Sequence, residues 1–136
     1  MIRRMLAAIA AVLLVGAAFV PAAAHHSFAA AYNMQQPITI TGRIVNVRLT
    51  NPHSFFFLDV EGEDGEVVRW SFEAGTPGGM IRNGYSPDVI KEGDIVTISG
   101  FAAKDASKPN GMLRELTTAD GTVYGMFGPR EGPGAR

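Results

Sequence analysis

The chain contains no cysteine in its 136 residues. Disulfides, thiolate catalysis, zinc ribbons and covalent haem attachment through Cys are therefore excluded. It also lacks a surplus of positive charge. Lys and Arg total 12 against 13 Asp and Glu, for a net charge of -1, which leaves little to hold a phosphate backbone and argues against nucleic acid as a partner. There is no Gly-rich phosphate loop, no nucleophile elbow and no His-Glu-x-x-His. Ser54 and Ser71 fall in strand patterns without a partnered His and Asp. What is present is globular: 46% hydrophobic and 18% charged residues exclude wholesale disorder. Sixteen Gly and eight Pro favour turns over long helices, and the length suits one domain.

The N-terminus carries an export pattern. Arg3 and Arg4 precede an uncharged stretch, Met5 to Ala24, with an apolar centre from Leu6 to Val20. Pro21 then breaks the helix, and Ala22-Ala23-Ala24 supplies small residues for cleavage. A positive n-region, an apolar h-region and an A-x-A site in that order predict a signal peptide over residues 1–24 rather than a permanent membrane anchor. The mature chain is expected to begin at His25, in the periplasm or outside the cell. Losing the two arginines takes its net charge from -1 to -3.

Residues 25–37 read as an N-terminal arm, extended or with a weak helical turn, ending at Pro37. From Ile38 the pattern is β. Ile38, Ile40 and Ile44 share one phase, and Val45, Val47 and Leu49 take the other. Such a switch predicts a bulge or bend, next to Gly42. Thr50-Asn51-Pro52-His53 breaks the strand. Further strands are expected over 54–60, 67–74, 94–101, 112–118 and 122–127. Asp64-Gly65 marks the hairpin between the second and third. Residues 75–93 allow only helical turns, over 79–83 and 87–91, and residues 104–111 read as a loop. Trp70, Phe72, Ile98 and Ile44 are expected in the core, with the Phe55–Phe57 run. Residues 128–136 read as a disordered tail.

Three strands, a short helical connection and then two more strands is the order of an OB-like barrel, and the chain is expected to be all-β with five to six strands over residues 38–127. Closure removes the sheet edges an open sheet would expose. An immunoglobulin-like sandwich is the alternative, but it needs about seven strands.

Four stretches carry a resemblance: His25-His26-Ser27-Phe28 after the leader, Thr50-Asn51-Pro52-His53-Ser54, Trp70-x-x-Glu73-x-Gly75-x-Pro77, and Gly93-Asp94-x-Val96-x-x-x-Gly100. Together they resemble a family of small exported bacterial proteins of unknown function, over nearly all of residues 25–124. Tyr85 and Ala102 stand where that family commonly has Trp and Pro. The resemblance implies export and the barrel, and it implies no activity.

The three histidines, His25, His26 and His53, are the unusual polar feature. An N-terminal His offers an α-amine and an imidazole, and His53 would complete a three-nitrogen brace suited to Cu(II). Both donor types lose protons near neutral pH. Glu73 would supply an oxygen ligand or hold an imidazole from behind. Cleavage after Ala23 would instead place a His third in the chain and make a square-planar amino-terminal copper site. Against this, two histidines can be a polar start, and His53 can serve its loop while Asn51 closes an Asx-turn. The second class of reading is a non-metal module for a glycan, peptide or protein partner in the envelope, using Arg69, Ser71 and Glu73 beside an aromatic from Phe55–Phe57. Catalysis has no support beyond the oxygen chemistry of some braced copper sites.

Overall fold

The structure, a computed structural model, describes residues 28–125. The expected signal peptide, the cleavage point, His25, His26 and the tail lie outside these residues. Helical turn α1 (Phe28–Ala31) leads into β1 (Tyr32–Arg48), followed by β2 (Ser54–Glu61), β3 (Val67–Ala74), α2 (Pro77–Arg82), β4 (Ile95–Ala103), β5 (Asn110–Thr118) and β6 (Val123–Gly125). The sheet order is β3-β2-β1-β4-β5-β6, and a further β3–β5 pairing closes a ring of five strands. That closing pair is parallel and the other pairings are antiparallel. The architecture is an OB-like barrel, with α2 between β3 and β4, and the sandwich alternative is overturned.

β1 serves both sides of the ring because it changes partner along its length. Residues 37–43 pair with β4 and residues 43–48 with β2. The register with β2 slips between Ile44 and Asn46, which places the bulge at the predicted phase switch. Gly42 is needed there for space. A Cβ on it would lie 2.7 Å from the Asp59 carbonyl oxygen.

β2 resolves its apolar run by period two. Ser54, Phe56 and Leu58 are buried, while Phe55 and Phe57 lie half-buried on the outer face. Their rings stack at 6.4 Å, with the Arg48 guanidinium 5.5 Å from the Phe57 centroid. Only one ring of the Phe run is therefore core, which corrects the expectation for the rest. Ile44, Phe56, Leu58, Phe72, Ile98, Leu113 and Leu116 are fully buried. Met80, Tyr85 and Ile90 from the β3–β4 connection complete the core.

Several boundaries move. β1 begins at Tyr32, not Ile38, because the Tyr32 end pairs with Ala103 across an irregular stretch of register. β5 begins at Asn110, inside the expected loop, because its first residues pair with Ser71 and Phe72 of β3. α2 covers 77–82, started by Thr76, whose hydroxyl accepts from the Gly79 N–H at 3.1 Å, and by Pro77. Residues 87–90 form a single turn, with the Val89 and Ile90 N–H groups donating to the Ser86 carbonyl. Trp70 is half-buried and packs on the core edge, because β5 pairs with β3 only from Ser71 onward. Among the described residues no helix is long and apolar enough to cross a membrane.

Candidate functional site

The candidate residues meet at one end of the barrel. The β1–β2 connection turns through a cis Asn51–Pro52 peptide. The Thr50 hydroxyl donates to the His53 carbonyl at 2.7 Å and closes the turn. β2 then pairs Ser54 with Ala74, so His53 arrives beside the end of β3. Glu73 faces outward there, since Phe72 and Ala74 take the inward phase. His53 Nδ1 pairs with Glu73 Oε1, at side-chain exposures of 29% and 17%.

The second Glu73 oxygen, Oε2, accepts the Tyr32 hydroxyl. Tyr32 is buried at the start of β1. Burial first, then the hydrogen bond and the charge of Glu73, push its hydroxyl far above the ordinary tyrosine range. Phe28 closes the group, with its ring 5.2 Å from His53 and 6.2 Å from Tyr32. The Ala31 carbonyl accepts from the Lys104 N–H at 2.9 Å and ties the arm to the β4–β5 hairpin. A carboxylate on Nδ1 fixes the imidazole orientation and, in the neutral ring, leaves Nε2 as the lone-pair donor.

Of the expected residues, His53 and Glu73 are brought together. Asn51 is exposed in the turn, and the turn hydrogen bond comes from Thr50 instead. Arg69 lies four residues back along β3, where its guanidinium makes a two-point bond to Asp59 at 2.8 and 3.0 Å. That bond holds the Asp59 carboxyl below its usual range. Ser71 donates to the Asn110 side chain at 2.9 Å. The polar groups of the expected Arg69-Ser71-Glu73 ligand face are thus occupied by the protein itself. The Ser54 hydroxyl is buried and has no hydrogen-bond partner among the described residues.

Among the described residues no group of three or more His, Asp or Glu could hold a metal. The described part of the candidate centre is one imidazole with a carboxylate behind it. Sequence reasoning missed Tyr32 and Phe28. Their spacing of four carries little signal, because Phe28 stands in the helical turn and Tyr32 already belongs to β1.

The Tyr32 environment predicts an alkaline limit. Tyr85 shifts in the same direction by burial. A hydroxyl with a raised folded pKa keeps its full stability contribution below the unfolded value near ~10. Above that pH the unfolded chain ionises while the fold retains its protons, so stability falls as pH rises. Denaturant midpoints from pH 8 to 11.5 should decline above about 10, and less steeply in Tyr32→Phe. Parallel profiles for the two proteins would remove Tyr32 as a source.

No curated protein matches the chain. The profile of a family of unknown function, DUF6152, matches residues 12–112, well over half of the sequence, and the chain belongs to that family.

Proposed function

We propose that the protein is exported to the periplasm or beyond after loss of residues 1–24, and that the mature form binds copper through the His25 amine and imidazole together with His53. The observation that carries this reading is the docking of Phe28 on His53 at 5.2 Å. Only His26 and Ser27 lie between His25 and Phe28, three residue steps with a reach of at most roughly 10 Å. The new N-terminus therefore starts within reach of the His53 ring. His26 is the alternative imidazole on the same arm. Glu73 acts as the positioning partner of His53 rather than as an oxygen ligand, since both its oxygens are engaged. Nitrogen donors favour Cu(II) over calcium or magnesium. The protein is a binder in this reading, with no step of catalysis assigned to it.

The test is a Cu(II) titration of untagged mature protein, followed by electron paramagnetic resonance, after its first residue has been sequenced. His53→Ala and one extra N-terminal Ala should each weaken binding and change the spectrum. Glu73→Gln should weaken binding by ~10–100-fold, the usual effect of removing a carboxylate behind a ligating imidazole. Affinity should also fall below about pH 6 as imidazole and amine protonate. Unchanged spectra in both the His53 and extra-Ala variants, or a retained hydrophobic leader, would sink the reading.

A further inference from the structure

Arg69, Ser71 and Glu73 on the outer face of β3 are taken up by internal bonds, but the groups beside Trp70 are not all so engaged. An open cavity of about 400 Å³ lies there, lined by Trp70, Asn33 and Gln36 of β1, and Lys104, Lys108 and Asn110 around the β4–β5 hairpin. It exists because β3 has no β5 partner before Ser71, and β1 has no β2 partner before Arg43. Phe72 stacks on the indole at 5.7 Å with a 17° interplanar angle, which fixes the plane of the ring that lines the cavity.

The lining is one-sided in its chemistry. The Gln36 side-chain oxygen accepts from Asn33 at 3.0 Å, and the Asn110 oxygen accepts from Ser71. The NH2 groups of Gln36 and Asn110 make no hydrogen bond among the described residues. Lys108 is paired with Asp105 at 3.2 Å, whereas Lys104 makes no ion pair among the described residues. The cavity therefore offers an indole, two amide donors and an ammonium, and no carboxylate lines it among the described residues. A matching ligand brings a ring face for the indole, several oxygen acceptors and a negative charge. The volume is of the size that holds a single sugar-sized unit.

We infer that this cavity binds an acidic saccharide, a uronic-acid unit of an oligosaccharide, with Trp70 against the sugar ring, Lys104 on its carboxylate and the Gln36 and Asn110 amides on its hydroxyls. Neither His53 nor a metal takes part, so the inference is independent of the copper reading. The chain has a single tryptophan, so the proposed contact carries its own optical probe.

The experiment is a fluorescence titration of the untagged protein with trigalacturonate, maltotriose and benzoate, checked by calorimetry. Trigalacturonate should shift the Trp70 emission saturably and weaken with added salt. Maltotriose and benzoate should bind at least tenfold more weakly. Lys104→Gln and Gln36→Ala alter exposed side chains and should leave the melting temperature unchanged, while each lowers trigalacturonate affinity, the former by at least tenfold. Trp70→Ala should abolish the calorimetric signal. No saturable response to trigalacturonate, equal affinity for benzoate or maltotriose, or full affinity in both exposed variants would overturn the assignment.

Discussion

Gly100→Ala is expected to prevent folding of the barrel. A Cβ at this position would sit 1.8 Å from the Met112 carbonyl oxygen, 2.9 Å from its carbonyl carbon and 3.4 Å from the Leu113 Cα. All three are backbone atoms, so no side chain can turn aside. Relief requires β4 and β5 to part at the irregularity between Ser99 and Gly100. The other neighbours block a simple shift. Gly100 is paired with Ile38 across β1, and Met112 is paired with Glu73 across β3. Moving β4 thus breaks its ladder with β1, and moving β5 opens the ring at its closing pair with β3. A loss of more than ~4–5 kcal/mol is in the exceptional range for a single substitution. It is comparable with the ~5–15 kcal/mol that holds a typical domain together. Circular dichroism melts and denaturant curves decide it. A cooperative variant that loses less than about 1 kcal/mol, the ordinary cost of a substitution, would mean that the two strands meet differently.

The next largest effect belongs to Phe72→Ala. Phe72 is fully buried, stacks on Trp70 and lies opposite Phe56 on β2. Its ring also fills the space over Gly111, where a Cβ would meet it at 2.7 Å. Removing it leaves a void bounded by strands that cannot collapse without breaking their ladders. The expected cost is ~3–5 kcal/mol, the usual range for truncating a buried aromatic. Trp70→Ala should cost clearly less although it removes more atoms, because part of the indole faces the cavity and was never withdrawn from water. Denaturant midpoints of the two variants give the comparison. An equal or larger loss for Trp70 would place the indole inside the closed core.

The same contrast marks how far local pattern reaches. Period-two alternation was enough to put Phe72 inward and Arg69, Ser71 and Glu73 outward, because strand geometry alone sends neighbours to opposite faces. The change of phase at Val45 was enough to locate the bulge in β1, and Asp64-Gly65 the hairpin turn. Strand order and the helical connection together carried the barrel. Alternation could not separate Trp70 from Phe72, which share a phase. What separates them is where β5 begins to pair with β3, and that is a long-range register.

The candidate site divides the same way. His53 beside Pro52 and Glu73 in the outward phase were legible as individual residues, 20 positions apart in the chain. That they meet was decided by the β2–β3 register, which pairs Ser54 with Ala74. Tyr32 and Phe28 joined them only because β1 runs further back than its apolar pattern and pairs its first residue with Ala103. Arg69 read as a free cation on a ligand face until the same register put Asp59 directly opposite it. The sequence by itself determined the strands, their faces and the residues able to do chemistry, since those follow from backbone geometry within a few positions. Only the tertiary structure decided which polar groups satisfy one another and which stay open to a ligand, because that depends on pairings between segments tens of residues apart.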